Sequence, residues 1–307
     1  MSQWTNKFLT ASEQQELDPI TFAITRFCLN IALSYKDVSW EYLYISRVHM
    51  QLIHYMTMKN ILIVGPAFLG LIHISLYPPM KIHIASANIY TPLLHILTHT
   101  NSASLLALGC KLLASLALEP SNKPLIAHSG CLHALYDLLL GTHIEIDIYT
   151  PDYLFVQYYS LCALVNALNH SDASRMLSVE LKGIKPLLTL IQTNSHSHIH
   201  IYSIRTLCNM AYNNHLSSHE ILLLGVGEVL GDVLESVDVS MGGHSPANMH
   251  AYMHSTSGIQ HLQDEGGAVV AHSILALLSN MCNSDTNQTH IGECMVYHIT
   301  PYTIHYV

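Results

Sequence analysis

Apolar residues recur at helical spacing along most of the chain, and polar or proline-marked breaks interrupt them at regular points. The clearest stretch is LLASLALEPSNKPLIAHSGCLHALYDLLL, residues 112–140. It predicts the end of an apolar helix, a break at Pro120, a short helix, a turn at Gly130 and another apolar helix. Proline suits the first turn of a helix, where a missing N–H costs little. Glycine suits a helix end that needs a left-handed residue. The same pattern lies 42 residues earlier, where Leu76, Pro78, Ile84 and Asn88 match Leu118, Pro120, Ile126 and Gly130. Asparagine tolerates the left-handed region, so Asn88 is a sensible replacement for glycine. Later copies run from Leu161 to Ile191 and from Thr206 to Ser236. A partial copy covers Ala276–Glu293, and a half-copy opens the series at Ile24–Ser34.

One polar position can be followed near the end of the longest helix of every copy. It holds Asn30, His73, Ser115, Asn166, Asn209 and Asn280, at intervals of 43, 42, 51, 43 and 71 residues. The two long intervals each contain an insertion, Gly141–Asp152 and Ser236–Gly267. The second is rich in Gly, Ser and His and reads as a mobile surface loop. The predicted organisation is an N-terminal arm over 1–18 and a repeat solenoid of about six units over 19–307.

The helix ends ALVNAL (Ala163–Leu168), LCNMA (Leu207–Ala211) and LLSNM (Leu277–Met281) carry a resemblance. These units look like armadillo repeats, and Ser121–Leu135 is similar to a repeat of the beta-catenin kind. The likeness covers Ile20–Glu293 and departs from the family at His73, at Ser115 and in the two insertions. The 42–43-residue intervals fall in the ~40–47 window of armadillo and HEAT repeats. The resemblance implies an all-α fold, a right-handed α-α superhelix of the armadillo/HEAT solenoid type. It implies a concave groove lined by the third helix of each unit, into which Asn30, Asn166, Asn209 and Asn280 point. A carboxamide both donates and accepts, so such a ladder suits the backbone of an extended peptide. The expected function is a scaffold or adaptor for the extended segment of a protein partner, and not an enzyme. For any single asparagine, a plain role in satisfying the last carbonyls of its helix is the competing account.

An importin-alpha-like nuclear transport receptor is the alternative. That subtype places Trp one turn before many of these asparagines, to stack on basic side chains. The matching positions here are Arg26, Leu69, Lys111, Cys162, Arg205 and Ala276, and none is Trp. Lys111 and Arg205 put positive charge there instead, which points towards an acidic ligand and adds both to the expected groove set with His73 and Ser115. Long solvated side chains lying along the surface are the simpler account of both.

Composition sharpens this picture. Hydrophobic residues make up 50% and charged residues 11%, against ~25% charged in ordinary soluble domains. Stacked repeats explain the excess, because neighbours share one continuous core. A net charge of -9 argues against binding nucleic acid, which needs clustered cations. A membrane-associated alternative rests on residues 60–80, which lack Asp and Glu and carry no Lys or Arg. Gly65-Pro66, His73 and Pro78-Pro79 interrupt that run, so a buried repeat helix is expected. The seven cysteines form no CxxC pair, and five lie in segments read as buried helices. That suits a reducing compartment, cytoplasmic and also nuclear. The start carries no apolar signal-peptide core.

Other chemistry is thinly supported. His196, His198 and His200 in SHSHIHI are placed in an inter-repeat turn without a neighbouring carboxylate or cysteine, so no metal is expected. GVGEVLG from Gly225 resembles a glycine-rich phosphate loop, but it continues a helical repeat and aligns with the inter-helix turn. No cofactor is expected.

Overall fold

The computed structural model describes residues 19–34, 39–141, 151–194, 196–236 and 262–282. The expected N-terminal arm, most of both insertions and the chain beyond Cys282 lie outside the described residues. Two compact units divide the chain, Met1–Leu177 and Ser178–Val307.

The described residues of the first unit open with α1 (Pro19–Ser34), a third helix without a first and second helix among them. Three helical triplets follow. They are α2 (Trp40–Ile45), α3 (Val48–Met56) and α4 (Ile61–Ile74); α5 (Pro78–Ser86), α6 (Tyr90–His99) and α7 (Ala103–Leu116); and α8 (Lys123–His128), α9 (Cys131–Leu140) and α10 (Pro151–Leu168). A 3-10 turn, Pro120–Asn122, precedes α8. The next triplet begins with α11 (Asp172–Glu180), within which the boundary between the units falls. The second unit continues with α12 (Ile184–Thr193) and α13 (Ser197–Ala211), then α14 (His215–Leu223), α15 (Val226–Ser236) and α16 (Leu262–Cys282). Third helices pack on third helices, α1 on α4, α4 on α7 and α7 on α10, while α13 packs on α16. Second helices do the same, α6 against α9 and α12 against α15.

A left-handed residue joins the first and second helix of every triplet. It is Arg47 (φ 52), Asn88 (φ 59), Gly130 (φ 82), Lys182 (φ 55) and Gly225 (φ 76). Asn88 and Gly130 thus adopt the conformation their spacing predicts, and Gly225 occupies an inter-helix turn. In the fourth triplet Lys182 takes the strained conformation although Gly183 stands beside it. The Gly183 N–H reaches back to the Ser178 carbonyl, a helix-ending bond that fixes the left-handed position one residue earlier.

Two boundaries differ from the sequence reading. SHSHIHI does not lie in an inter-repeat turn: from Ser197 it forms the first turn of the third helix α13. There His200 Nε2 lies 2.6 Å from the Asn194 carbonyl, and its ring is buried. The expected insertions also extend too far, because Pro151-Asp152 open α10 and residues 262–267 belong to α16.

The apolar run at 60–80 is divided between two helices. α4 ends at Ile74, Ser75 caps it with Oγ donating to the Ile72 carbonyl, and α5 starts at Pro78. Among the described residues no single helix is long and apolar enough to cross a membrane; α7 with Pro120–His128 passes only as a pair bent by 115°. Inside α4, Pro66 has no N–H to give to the Leu62 carbonyl four residues back. Thr25 of α1, fully buried, donates its hydroxyl to that carbonyl at 2.9 Å. Thr25→Val keeps the shape and deletes the donor, so it is expected to lower stability by about 1–2 kcal/mol in urea unfolding. A variant as stable as the parent chain would show that the carbonyl finds water instead.

Candidate functional site

The six tracked positions all fall on third helices: Asn30 on α1, His73 on α4, Ser115 on α7, Asn166 on α10, Asn209 on α13 and Asn280 on α16. Asn30 is exposed, and the other five are half-buried. The first unit thereby brings Asn30, His73, Ser115 and Asn166 onto neighbouring packed helices, with Lys111 one turn before Ser115. The second unit carries Arg205 and Asn209 on α13 and Asn280 on α16.

These side chains are already at work inside the repeat stack. Asn166 Nδ2 donates to the Ala114 carbonyl at 2.9 Å, and Asn280 Nδ2 donates to the Cys208 carbonyl at 3.0 Å. Ala114 and Cys208 each stand one residue before a tracked position, Ser115 and Asn209. The same bond therefore forms in the same register in both units, clipping a third helix to its predecessor. Ser115 Oγ instead pairs with Ser75 Oγ at 2.8 Å, just past the end of α4. His73 bonds within its own helix, Nδ1 to the Leu69 carbonyl at 2.7 Å. That bond needs a proton on Nδ1, since a carbonyl only accepts.

The clip uses one N–H of each asparagine. A carboxamide has a second N–H and an acceptor oxygen, so Asn166 and Asn280 retain capacity for a ligand backbone. The two cations sit against aromatic rings. Lys111 Nζ lies 5.3 Å from the centroid of Tyr159, and Arg205 Cζ lies 5.7 Å from that of Tyr202. Both distances fall within the range of a cation–π attraction. Tyr159 and Tyr202 occupy equivalent places, each seven residues before its asparagine. Sequence reasoning missed them by looking for an aromatic one turn before Asn; the signal was a tyrosine two turns before it, in two copies. Trp40 lies on the first helix α2, and Trp4 lies outside the described residues.

Electrostatics link three of these helices. Burial lowers His73 below the usual histidine value, and the Lys111 charge lowers it further, against the helping bond to Leu69. Lys111 is exposed by area yet crowded by neighbouring atoms, and that partial desolvation lowers its own pKa. Burial pushes the Tyr159 hydroxyl up to about 12. Among the described residues no group of three or more His, Cys, Asp and Glu is placed to hold a metal ion.

Triplets that turn through a left-handed residue and stack on their third helices define an armadillo-like repeat fold, in the all-α α-α superhelix class. No family model and no curated protein matches the chain. Solved structures share the fold at low identity. One is a designed armadillo repeat protein in complex with a (KR)4 peptide, 12% identical, with a TM-score of 0.57 over 88% of this chain and 98% of that one. A second comes from computationally designed armadillo repeat proteins for modular peptide recognition, 13% identical, with a TM-score of 0.58 over 89% and 98%. An engineered protein is 18% identical, with a TM-score of 0.59 over 89% and 98%.

Proposed function

We propose that the chain is a protein-binding scaffold, not a catalyst, and that its third-helix faces hold an extended segment of a partner protein. The observation that carries this reading is the row of tracked positions on third helices, with Asn166 and Asn280 held in one register. A clipped amide is preorganised, so a ligand backbone meets an acceptor whose rotamer entropy is already spent. The fold shared with designed peptide-recognition scaffolds supports the same reading. The importin-alpha-like alternative is less well supported, because Lys111 and Arg205 stand where that subtype needs Trp.

Selection of displayed random peptides on the whole chain tests the proposal. Enriched peptides are expected to lose about tenfold or more in affinity with Lys111→Glu or Arg205→Glu, a change of ~1.4 kcal/mol. Asn166→Ala is a poor test, since it also orphans the Ala114 carbonyl and costs about 1 kcal/mol of stability. No enrichment over an unrelated bait, or equal binding to both charge-reversed variants, removes the proposal.

A further inference from the structure

The second helix α6 carries two histidines one turn apart, His95 and His99, and both are exposed. Their ring centroids lie 4.5 Å apart, with the planes inclined by 31°. A helix puts residues four apart on one face, one above the other, so a single ion can touch both side chains. Leu93 and Leu97, two positions earlier, press towards Gly109 of α7. Two residues turn a helix by roughly 200°. The pair therefore stands on the side of α6 turned away from that third helix.

The His99 ring is already held as a metal ligand needs to be. Its Nδ1 lies 3.1 Å from the His95 carbonyl, which only accepts, so Nδ1 carries the proton. The Thr98 hydroxyl lies 2.7 Å from the same nitrogen and donates its own proton to the Leu94 carbonyl at 2.8 Å, so its oxygen accepts as well. The neutral ring keeps its lone pair on Nε2. Metal-binding histidines commonly give their other ring N–H to a backbone carbonyl, which fixes the tautomer and makes the ligand nitrogen more basic. Other histidines lack one part of this arrangement. His196 and His200 share the spacing, but His200 is buried with Nε2 2.6 Å from the Asn194 carbonyl. His133 is exposed, but its Nδ1 pairs with Asp137 at 3.0 Å.

We propose that His95 and His99 chelate a late first-row divalent metal ion, Cu(II) ahead of Ni(II) and Zn(II). Imidazole suits these ions, whereas Mg(II) and Ca(II) prefer oxygen ligands, and Cu(II) heads the affinity order. Two nitrogens leave the remaining positions to water or to a side chain of a second molecule. The ion is thus exchangeable and not a resident cofactor, in keeping with the lack of any three-residue metal group among the described residues. The site does not depend on the peptide-scaffold reading.

Cu(II) titrated into the whole chain at pH 7.5 against excess glycine tests this, read by calorimetry and by electron paramagnetic resonance. One ion is expected to bind with a spectrum split by two nitrogens. His95→Gln and His99→Gln are each expected to weaken that site by roughly tenfold or more, since loss of an outer-shell partner alone costs that much. His133→Gln is expected to leave it unchanged. Thr91 is exposed on α6, four residues before His95. Adding Thr91→His to His99→Gln rebuilds the spacing one turn earlier and is expected to recover most of the lost affinity. Equal copper binding by the parent chain and both single variants assigns the ion to other histidines and overturns the proposal. So does a chain that holds no copper against glycine, or a Thr91→His variant that binds no better than His99→Gln alone. None of these outcomes touches peptide binding, which is read separately.

Discussion

Phe68→Ala is expected to destabilise the first unit by about 3–5 kcal/mol, read as a drop in the urea midpoint with an unchanged slope. Phe68 is fully buried on α4. The tip of its ring lies 3.7 Å from where a Cβ would stand at Gly109 of α7, and Leu97 and Leu93 of α6 lie 3.1 and 3.3 Å from that point. The ring thus fills the junction of three helices. Because Gly109 already lets the helices approach as far as the Leu93 and Leu97 side chains permit, little collapse can refill the space. The large end of the range for such substitutions follows. Leu76→Ala, at a residue 52% exposed, is the control and should stay within about 0.5 kcal/mol of the parent. Equal effects at both positions would contradict this packing.

Acid is expected to weaken the fold well above the range where carboxylates titrate. His49 is 4% exposed, and its Nδ1 is buried without a hydrogen-bond partner among the described residues. Burial lowers its pKa, and His83, with a ring centroid 6.5 Å away, lowers it further. Tyr44 stacks on His83 at 3.9 Å and faces His49 at 6.0 Å, so these rings, and not a carboxylate, line this side of His49. His73 and His198 are lowered as well, each chiefly by burial. A histidine held below its unfolded value of 6.5 takes its proton more readily when unfolded. Its contribution is complete above pH 6.5 and is lost as pH falls below that value, by at most ~1.4 kcal/mol per pH unit for each group. The melting temperature should therefore fall between pH 7.5 and 5.5, and His49→Phe should flatten the dependence. A melting temperature constant over that window sinks the prediction.

How much of this was legible in the sequence depends on the range of each interaction. The left-handed turns at Asn88 and Gly130 were legible, because the cost of a left-handed residue is paid locally and leaves a residue-type mark. Arg47 and Lys182 left no such mark, since neither residue type favours that region; at Lys182 the bond from the Gly183 N–H to the Ser178 carbonyl sets it. The tracked positions were legible as a register and fall on third helices. Their bonding was not, because Asn166 and Ala114 lie 52 residues apart and Asn280 and Cys208 lie 72 apart. No periodicity announces which carbonyl a side chain will meet at that distance. The edges of the insertions failed for another reason: residues 262–267, QDEGG among them, have a loop composition yet continue the helix of α16.

The pairing of Thr25 with the carbonyl that Pro66 leaves open also decides where the chain can be cut. A fragment beginning at residue 39 would keep α2 and every later helix of the unit, and would look complete by helix count. It would lack the hydroxyl that finishes the bonding of α4, together with the buried Cys28 and Ala32 that pack beside it. α1 is in that sense part of the helix that follows it by three, and a self-sufficient N-terminal piece keeps Thr25 and the helix that carries it.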